Sequence, residues 1–214
     1  PAELSEAEST ESPMTRIKEG LRFIWGTPII LAVLSLDMFA VFFGGAESLL
    51  PAFVEKVLNQ GSEAFGLLRS AHGIGSIIMM FFLSMIPSLL KGNVGPKLLI
   101  AVAMFGVCII SFGLSQNLYL CFGILLLGGA FDAVSMVIRQ SILQIKTPEN
   151  LKGRVSSVNS IFVSSSNELG ALESGIAATF LGLVPSIVFG GSMTMLTVVV
   201  IAIMIKQIRK VELK

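Results

Sequence analysis

Six apolar runs, each about as long as a membrane-crossing helix, constrain this chain more than any other feature. They cover roughly residues 27–50, 66–90, 98–114, 119–138, 155–181 and 185–205. A membrane helix needs about 20 mostly apolar residues. The composition agrees, because 53% of the 214 residues are hydrophobic and only 14% are charged. We therefore expect an all-α integral membrane protein with six transmembrane helices.

The basic residues predict the orientation of these helices. If the N-terminus is cytoplasmic, the outer segments hold only Lys56 and Arg69. The inner segments then hold the other 13: Arg16, Lys18, Arg22, Lys91, Lys97, Arg139, Lys146, Lys152, Arg154, Lys206, Arg209, Lys210 and Lys214. Basic residues concentrate in cytoplasmic loops. We therefore expect a multi-pass protein of the cell (inner) membrane with both termini in the cytoplasm.

The ends of the chain differ from the apolar region. Residues 1–13 are rich in Glu, Ser, Thr and Pro and predict a disordered acidic linker. Residues 14–26 predict an amphipathic helix on the inner membrane surface, or the first turns of a soluble linker helix. A six-helix bundle over 27–205 and a cytoplasmic tail over 206–214 follow. The chain lacks an initiator Met and a signal peptide, so we expect a fragment of a longer protein.

The segment from Asp132 to Arg154 connects the fourth and fifth runs. It leaves the apolar region at Arg139 and contains the turn signal Thr147-Pro148-Glu149-Asn150. Four basic residues between two apolar runs predict a cytoplasmic loop.

Ionisable side chains within apolar runs are costly in a bilayer and are therefore functional candidates. The runs contain Asp37 and Glu47 in the first, His72 in the second, Asp132 in the fourth, and Glu168 and Glu173 in the fifth. The third and sixth runs contain none. We expect helices one, two, four and five to face protein or water, and helices three and six to face lipid or pack peripherally.

Asp37 lies ten residues into its run, roughly 15 Å deep at about 1.5 Å per residue, near the midplane. Phe42, Phe43 and the pair Gly44-Gly45 follow it. Two interpretations are open: a cavity-lining carboxylate beside aromatic walls, or a carboxylate hydrogen-bonded to a neighbouring helix. Asp132 is expected nearer the inner end of its run.

The fifth run is the most polar, with Asn167 and Glu168 within a stripe of small and polar residues at helical spacing. Close helix packing accounts for most of its serines. Glu168 still requires a partner, a proton or water, so we place it with Asn167 among the candidates for proton coupling or the substrate cavity.

A gating or structural role is expected for Asp132, Arg139, Arg154, His72 and Glu173. Asp132 and Arg139 are seven residues apart, two turns along one helix face, and predict an ion pair. Arg139 and Arg154 flank the inner loop and are expected to contact carboxylates or helix C-termini of a neighbouring bundle. His72 is interpreted as a hydrogen-bonded packing residue or, alternatively, as part of a proton relay.

Several classes of function lack sequence support. No Ser/His/Asp arrangement, metal-spaced cluster or phosphate loop occurs, so we expect no enzyme, no metal and no cofactor. The formal net charge is +1, which gives no electrostatic reason to expect nucleic acid as a partner.

Three stretches resemble one family, the major facilitator superfamily of transporters. Residues Glu19 to Trp25 with Pro28 resemble the linker entering its seventh helix, and Glu47 to Pro51 with Phe65 to Leu68 resemble its seventh and eighth helices. Arg139-Gln140-Ser141 and Lys152-Gly153-Arg154-Val155 resemble the loop between helices ten and eleven. The branch most similar is the secretion-effector group, which includes the enterobactin exporter and macrolide-efflux-like proteins.

This resemblance implies the C-terminal six-helix half (a three-plus-three repeat) of a twelve-helix transporter. It implies a small-molecule substrate, a lipid bilayer and an N-terminal six-helix half as partners, and proton-coupled efflux of amphipathic molecules such as drugs or siderophores. The alternative is a membrane-embedded interaction or assembly protein without transport. Residues 90–97 lack the acidic residue of the usual inner-loop motif, and the fifth run lacks the Gly-Pro motif of many drug–proton antiporters. Proton coupling is therefore argued from Asp37 and Glu168.

Overall fold

The protein is all-α, and the computed structural model describes residues 13–213. Its α-helices are α1 (Pro13–Gly26), α2 (Pro28–Phe43), α3 (Ala46–Lys56), α4 (Ser62–Met85), α5 (Val94–Leu114), α6 (Leu118–Lys146), α7 (Lys152–Leu181) and α8 (Leu183–Met204). Short 3-10 helices span Pro87–Leu90, Glu149–Leu151 and Lys206–Lys210. The predicted acidic linker lies outside the described residues except for Pro13, where α1 begins.

Length and composition identify the membrane-crossing helices. Within residues 13–213, five helical stretches are long and apolar enough to cross a membrane: Pro28–Lys56, Ser62–Met85, Val94–Leu114, Leu118–Lys146 and Leu183–Met204. The remaining long helix, α7, has 30 residues, enough for about 45 Å at 1.5 Å per residue. Its serines and carboxylates make it too polar to qualify by composition.

The first predicted run is broken into two helices at Gly44-Gly45. The N–H of Gly44 donates to the carbonyl of Ala40 and ends α2. A Cβ at Gly45 would lie 2.6 Å from Ser174 Oγ and 3.0 Å from the Gly170 carbonyl oxygen, so only glycine fits against α7 here. The chain then re-enters a helix that continues through Pro51 to Lys56, and the predicted outer loop over 51–65 shortens to residues 57–61.

Close backbone contact joins α4 to α6. A Cβ at Gly75 would meet the carbonyl of Leu126, and one at Gly129 would meet the carbonyl of His72. Ser76 Oγ also donates to the Gly129 carbonyl at 2.9 Å. Small residues permit such close approach of membrane helices, and here they hold the two helices together as one unit.

The other helices pack around this unit. Helix α5 lies between α6 and α8, while α2 packs on α7 and α8. Helices α5 and α8 carry no carboxylate, lysine or arginine apart from Lys97. Helix α5 packs on both α6 and α8, so the expectation that the third and sixth spans face lipid or pack peripherally stays a prediction.

The buried side chains form clusters at the two ends of the bundle. One contains Phe53 and Phe112, whose ring centroids are 4.5 Å apart, together with Leu68 and Cys121. Another contains Leu98, Ile138, Ile142 and Ile208. The side chain of Asp37 is buried in the same bundle.

The C-terminal end folds back onto the bundle. Strand β1 (Gly92–Asn93) pairs antiparallel with β2 (Glu212–Leu213), and the N–H of Val94 donates to the Val211 carbonyl at 2.9 Å. Helix α5 begins at Val94, earlier than the sequence predicted, because a proline is tolerated in the first turn of a helix.

Candidate functional site

A cavity of about 340 Å³ lies among the helices of the bundle and opens to the bundle surface, where Glu47, Ser48, Arg69 and Asn167 are exposed. Its walls come from six helices, α2 to α7. The polar and ionisable residues that line it are Asp37, Glu47, Ser48, Arg69, His72, Asp132, Ser135 and Asn167; the aromatic ones are Phe105 and Phe112. Ligand sites in proteins share this mostly apolar lining with a few placed polar groups.

Asp37 forms a buried ion pair with Arg139 across α2 and α6. The contact joins Asp37 Oδ1 to Arg139 Nη1, and both side chains are less than one-tenth exposed, at 9% and 7%. The Nε of Arg139 is buried and has no hydrogen-bond partner within residues 13–213. The expected pair between Asp132 and Arg139 is therefore wrong: the arginine turns to the neighbouring helix instead of its own.

Asp132 occupies the middle of α6, which extends beyond the predicted run, and its placement near the inner end of the membrane-crossing part stays a prediction. Helix α6 continues to Lys146 and is 29 residues long, so 14 residues precede Asp132 and 14 follow it. The side chain lines the cavity and makes no ion pair within the described residues. It is close enough to His72 and Glu47 for their charges to act on it.

His72 and Glu47 form a second pair at the outer part of the cavity. His72 Nδ1 lies 3.2 Å from Glu47 Oε1, and the glutamate side chain is 55% exposed. The His72 ring also meets Phe105 edge-on, with centroids 6.4 Å apart. The sequence did not predict this pair. Glu47 lies near the end of the first run and His72 near the start of the second, and this proximity could have indicated a contact.

Phe42 and Phe43 lie outside the cavity lining that contains Asp37. Their rings pack edge to face with centroids 4.9 Å apart. A Cβ at Gly170 of α7 would lie 2.7 Å from the Phe42 carbonyl oxygen, and one at Gly190 of α8 would meet the Phe43 carbonyl. The two phenylalanines therefore stand where α2 meets α7 and α8, and the aromatic walls are Phe105 and Phe112 of α5.

The candidates on α7 separate into different environments. Asn167 lines the cavity. Glu168 is exposed on the surface of the bundle and forms no ion pair within the described residues. Glu173 is half-buried and its side chain hydrogen-bonds that of Ser174.

At the inner end, Arg154 Nη1 contacts Glu19 Oε2 and joins α7 to α1. Ile24 of α1 packs with Val155 and Val158 in an apolar cluster. Arg139 and Arg154 both contact carboxylates of this chain, and their expected contacts with a neighbouring bundle stay a prediction. A second, open cavity of about 470 Å³ lies between the end of α6 and the start of α7, beside the loop that joins them.

The cavity lining contains side chains that can bind and release a proton. Among residues 13–213, no group of three or more His, Cys, Asp and Glu side chains has a geometry that could hold a metal ion. Carboxylates and an imidazole line one cavity, and each can gain or lose a proton. A proton on Asp37 would remove one charge of the buried pair and release Arg139 from its partner.

Comparison with known proteins adds an independent line of evidence. The family model described as transmembrane secretion effector matches residues 3–214. The uncharacterized MFS-type transporter YfmI of Bacillus subtilis (strain 168) is 24% identical over 175 residues, covering 80% of this chain and 43% of that protein. The multidrug efflux pump Tap of Mycolicibacterium fortuitum is 25% identical over 213 residues, covering 95% of this chain and 49% of Tap.

A third relative is the enterobactin exporter EntS of Escherichia coli O1:K1 / APEC. It is 26% identical over 148 residues, covering 68% of this chain and 34% of that protein. This chain therefore spans less than half the length of each of these curated relatives. No solved structure matches the chain.

Proposed function

Because the chain belongs to the transmembrane secretion effector family of major facilitator superfamily transporters, we propose that it is the C-terminal six-helix half of a proton-coupled exporter. Its substrates are small amphipathic molecules, and its place is the inner membrane with both termini in the cytoplasm. The observation that supports coupling most directly is the buried Asp37–Arg139 pair at the wall of the bundle cavity.

The need for a second half is argued from α7. Glu168 and Asn167 are exposed on the bundle surface, in a helix 30 residues long. A carboxylate facing lipid is costly, so this face requires protein or water. An N-terminal six-helix half, with an aqueous substrate cavity between the two, supplies both. The relatives Tap and EntS are more than twice as long as the part that this chain matches, which supports the same arrangement.

The substrate class is inferred from the relatives' names, a multidrug efflux pump and an enterobactin exporter. Alternating access would rock the two halves around a site between them. In such a cycle Asp37 is ionised and paired with Arg139 in one state and protonated in the other. Protonation of Asp37 breaks the ion pair with Arg139, and this change couples the proton gradient to the rocking of the two halves.

The test uses the full-length transporter in proteoliposomes with ethidium, a small amphipathic cation, as the probe. Asp37→Asn is expected to abolish efflux driven by an imposed pH gradient. Its affinity for ethidium should stay within about tenfold of the wild-type affinity, a change of the size that coupling between two sites usually produces. Glu168→Gln is expected to have a weaker effect of the same kind. Glu55→Gln, an exposed carboxylate on α3 outside the cavity, is the matched control.

Two outcomes would contradict the proposal. One is wild-type protein that binds ethidium but does not export it in response to a pH gradient. The other is normal pH-driven export by the Asp37→Asn/Glu168→Gln double variant. Asp37→Asn leaves Arg139 without its partner, so the double variant Asp37→Asn/Arg139→Gln is measured as well. This variant removes both charges. It is expected to retain the fold and to show no efflux driven by the pH gradient.

A further inference from the structure

We propose that the cavity inside this bundle conducts protons from the outer side of the membrane to Asp37. The path begins at Glu47, continues through His72 to Asp132 and ends at Asp37. Asp132 and Asp37 line the same cavity. This inference rests on the proposed proton coupling and adds to it a route through the cavity of this bundle.

The residues stand at successive depths. Asp37 lies nine residues after the start of α2 at Pro28, about 14 Å from its inner end at 1.5 Å per residue. Asp132 lies 14 residues from the outer end of α6, which is about 21 Å. His72 lies ten residues from the outer end of α4, which is about 15 Å. Asp37 contacts Arg139, which lies seven residues beyond Asp132 along α6. Asp37 therefore stands at the end of the series that is farthest from Glu47.

Glu47 is the most exposed member of this series. The side chain of Glu47 is 55% exposed, whereas that of His72 is 25% exposed and only 3.2 Å from it. Asp132 has its carboxyl in the same cavity, close enough for both of their charges to act on it. A proton that binds Glu47 from the outer solution can thus pass to a histidine that is already in contact.

The cavity provides the medium between the residues. Its volume of about 340 Å³ leaves room for several water molecules, since each takes about 30 Å³ in the liquid. Ser48 and Ser135 also line it and offer hydroxyl groups to such waters. The remaining ionisable groups that face it are Arg69 of α4 and Cys108 of α5, together with Arg139 through its contact with Asp37.

Each step conserves atoms and charge. The Glu47 carboxyl gives its proton to Nδ1 of His72, which becomes imidazolium and then releases the proton on Nε2 to a cavity water. That water passes a proton to the Asp132 carboxylate, and a second transfer of the same kind protonates Asp37. No bond between heavy atoms changes. The arrival of the proton at Asp37 removes the charge that holds Arg139.

The experiment measures ethidium movement by the full-length transporter in proteoliposomes in two modes. One is efflux driven by a pH gradient, which requires proton transfer. The other is ethidium exchange at equal pH on both sides, which moves no net proton. His72→Gln and Asp132→Asn are each expected to slow the driven mode about 100-fold, the lower end of what a positioned proton-transfer group contributes, and to leave exchange unchanged.

Conservative variants separate proton transfer from structure. Asp132→Glu keeps a carboxyl and is expected to restore most of the driven rate. Glu47→Gln is expected to have a smaller effect, because outer water reaches His72 past this exposed position. Glu55→Gln, on the same helix as Glu47 but outside the cavity, should leave both modes unchanged.

The results distinguish the route from the coupling itself. If Asp37→Asn abolishes driven efflux while His72→Gln and Asp132→Asn remain at the wild-type rate, coupling stands and the route is wrong. Loss of exchange together with driven efflux would show a structural role for these residues and would also overturn the route. Absence of pH-driven efflux in the wild-type protein would instead overturn the proposed function.

Discussion

Substitution of Asp37 by asparagine removes the negative partner of the buried ion pair with Arg139. It tests how much the pair contributes to the free energy of unfolding. The guanidinium of Arg139 then remains buried, since its side chain is 7% exposed. Its Nε already lacks a partner within residues 13–213, and arginine cannot lose its proton in a protein. Loss of one partner of a buried pair costs about 3–5 kcal/mol of unfolding free energy, and we expect this variant to fall in that range.

Substitution of the arginine should cost less. In Arg139→Gln the remaining Asp37 carboxyl can take up a proton and become neutral, so the cost approaches that of an unsatisfied buried polar group, about 1–3 kcal/mol. The double variant Asp37→Asn/Arg139→Gln removes both charges. Replacement of a whole buried pair is often close to neutral, so its stability should lie nearer to wild type than that of Asp37→Asn.

The assay is unfolding of the purified full-length protein by sodium dodecyl sulfate in mixed micelles, followed by far-ultraviolet circular dichroism. A double-mutant cycle then gives the coupling energy of the two residues, expected to be about 2 kcal/mol or more, in the upper part of the usual range. Glu55→Gln, an exposed carboxylate, should stay within about 0.5 kcal/mol of wild type. An Asp37→Asn variant as stable as this control, or single-variant costs that simply add, would refute the reasoning.

Two further predictions concern topology and packing. Because basic residues mark the inner loops, a cysteine at Gln60 should react with an impermeant maleimide in intact cells, and one at Glu149 only after permeabilisation; outside labelling at Glu149 would reverse the orientation. A Cβ at Gly129 would meet the His72 carbonyl, so Gly129→Ala should cost about 1–3 kcal/mol in the same unfolding assay. Gly123→Ala on the same helix, where an added Cβ meets nothing within 4 Å, is its control, and equal effects of the two would contradict the packing argument.

The sequence predicted the helices well and their ends less well. The long apolar runs predicted the membrane helices. The expectation that the third and sixth helices face lipid or pack peripherally stays a prediction, and α5 also lines the cavity. The predicted helix ends are wrong where glycine or proline changes the course of the backbone. At Gly44-Gly45 the contact with α7 ends α2 early, and the helix that follows then absorbs most of the expected outer loop.

The candidate site was predicted in part. The ionisable residues were predicted as candidates because they lie within apolar runs. Their spacing along the sequence cannot show which of two carboxylates contacts an arginine. Asp132 shares a helix face with Arg139, and yet the packing of α2 brings Asp37 to it. Phe105 and Phe112 line the cavity from a helix without internal charge, so no pattern in the sequence distinguished them from ordinary core residues.

The break at Gly44-Gly45 also affects how the protein fits its bilayer. From Pro28 to Lys56 the chain has 29 residues, about 44 Å if it were one straight helix, against a hydrocarbon thickness of about 30 Å. A continuous helix would have to tilt strongly or thicken the surrounding lipid, at a free-energy cost for each ångström of mismatch. Division at the glycines interrupts this helix, so residues 28–56 do not have to cross the bilayer as one straight rod.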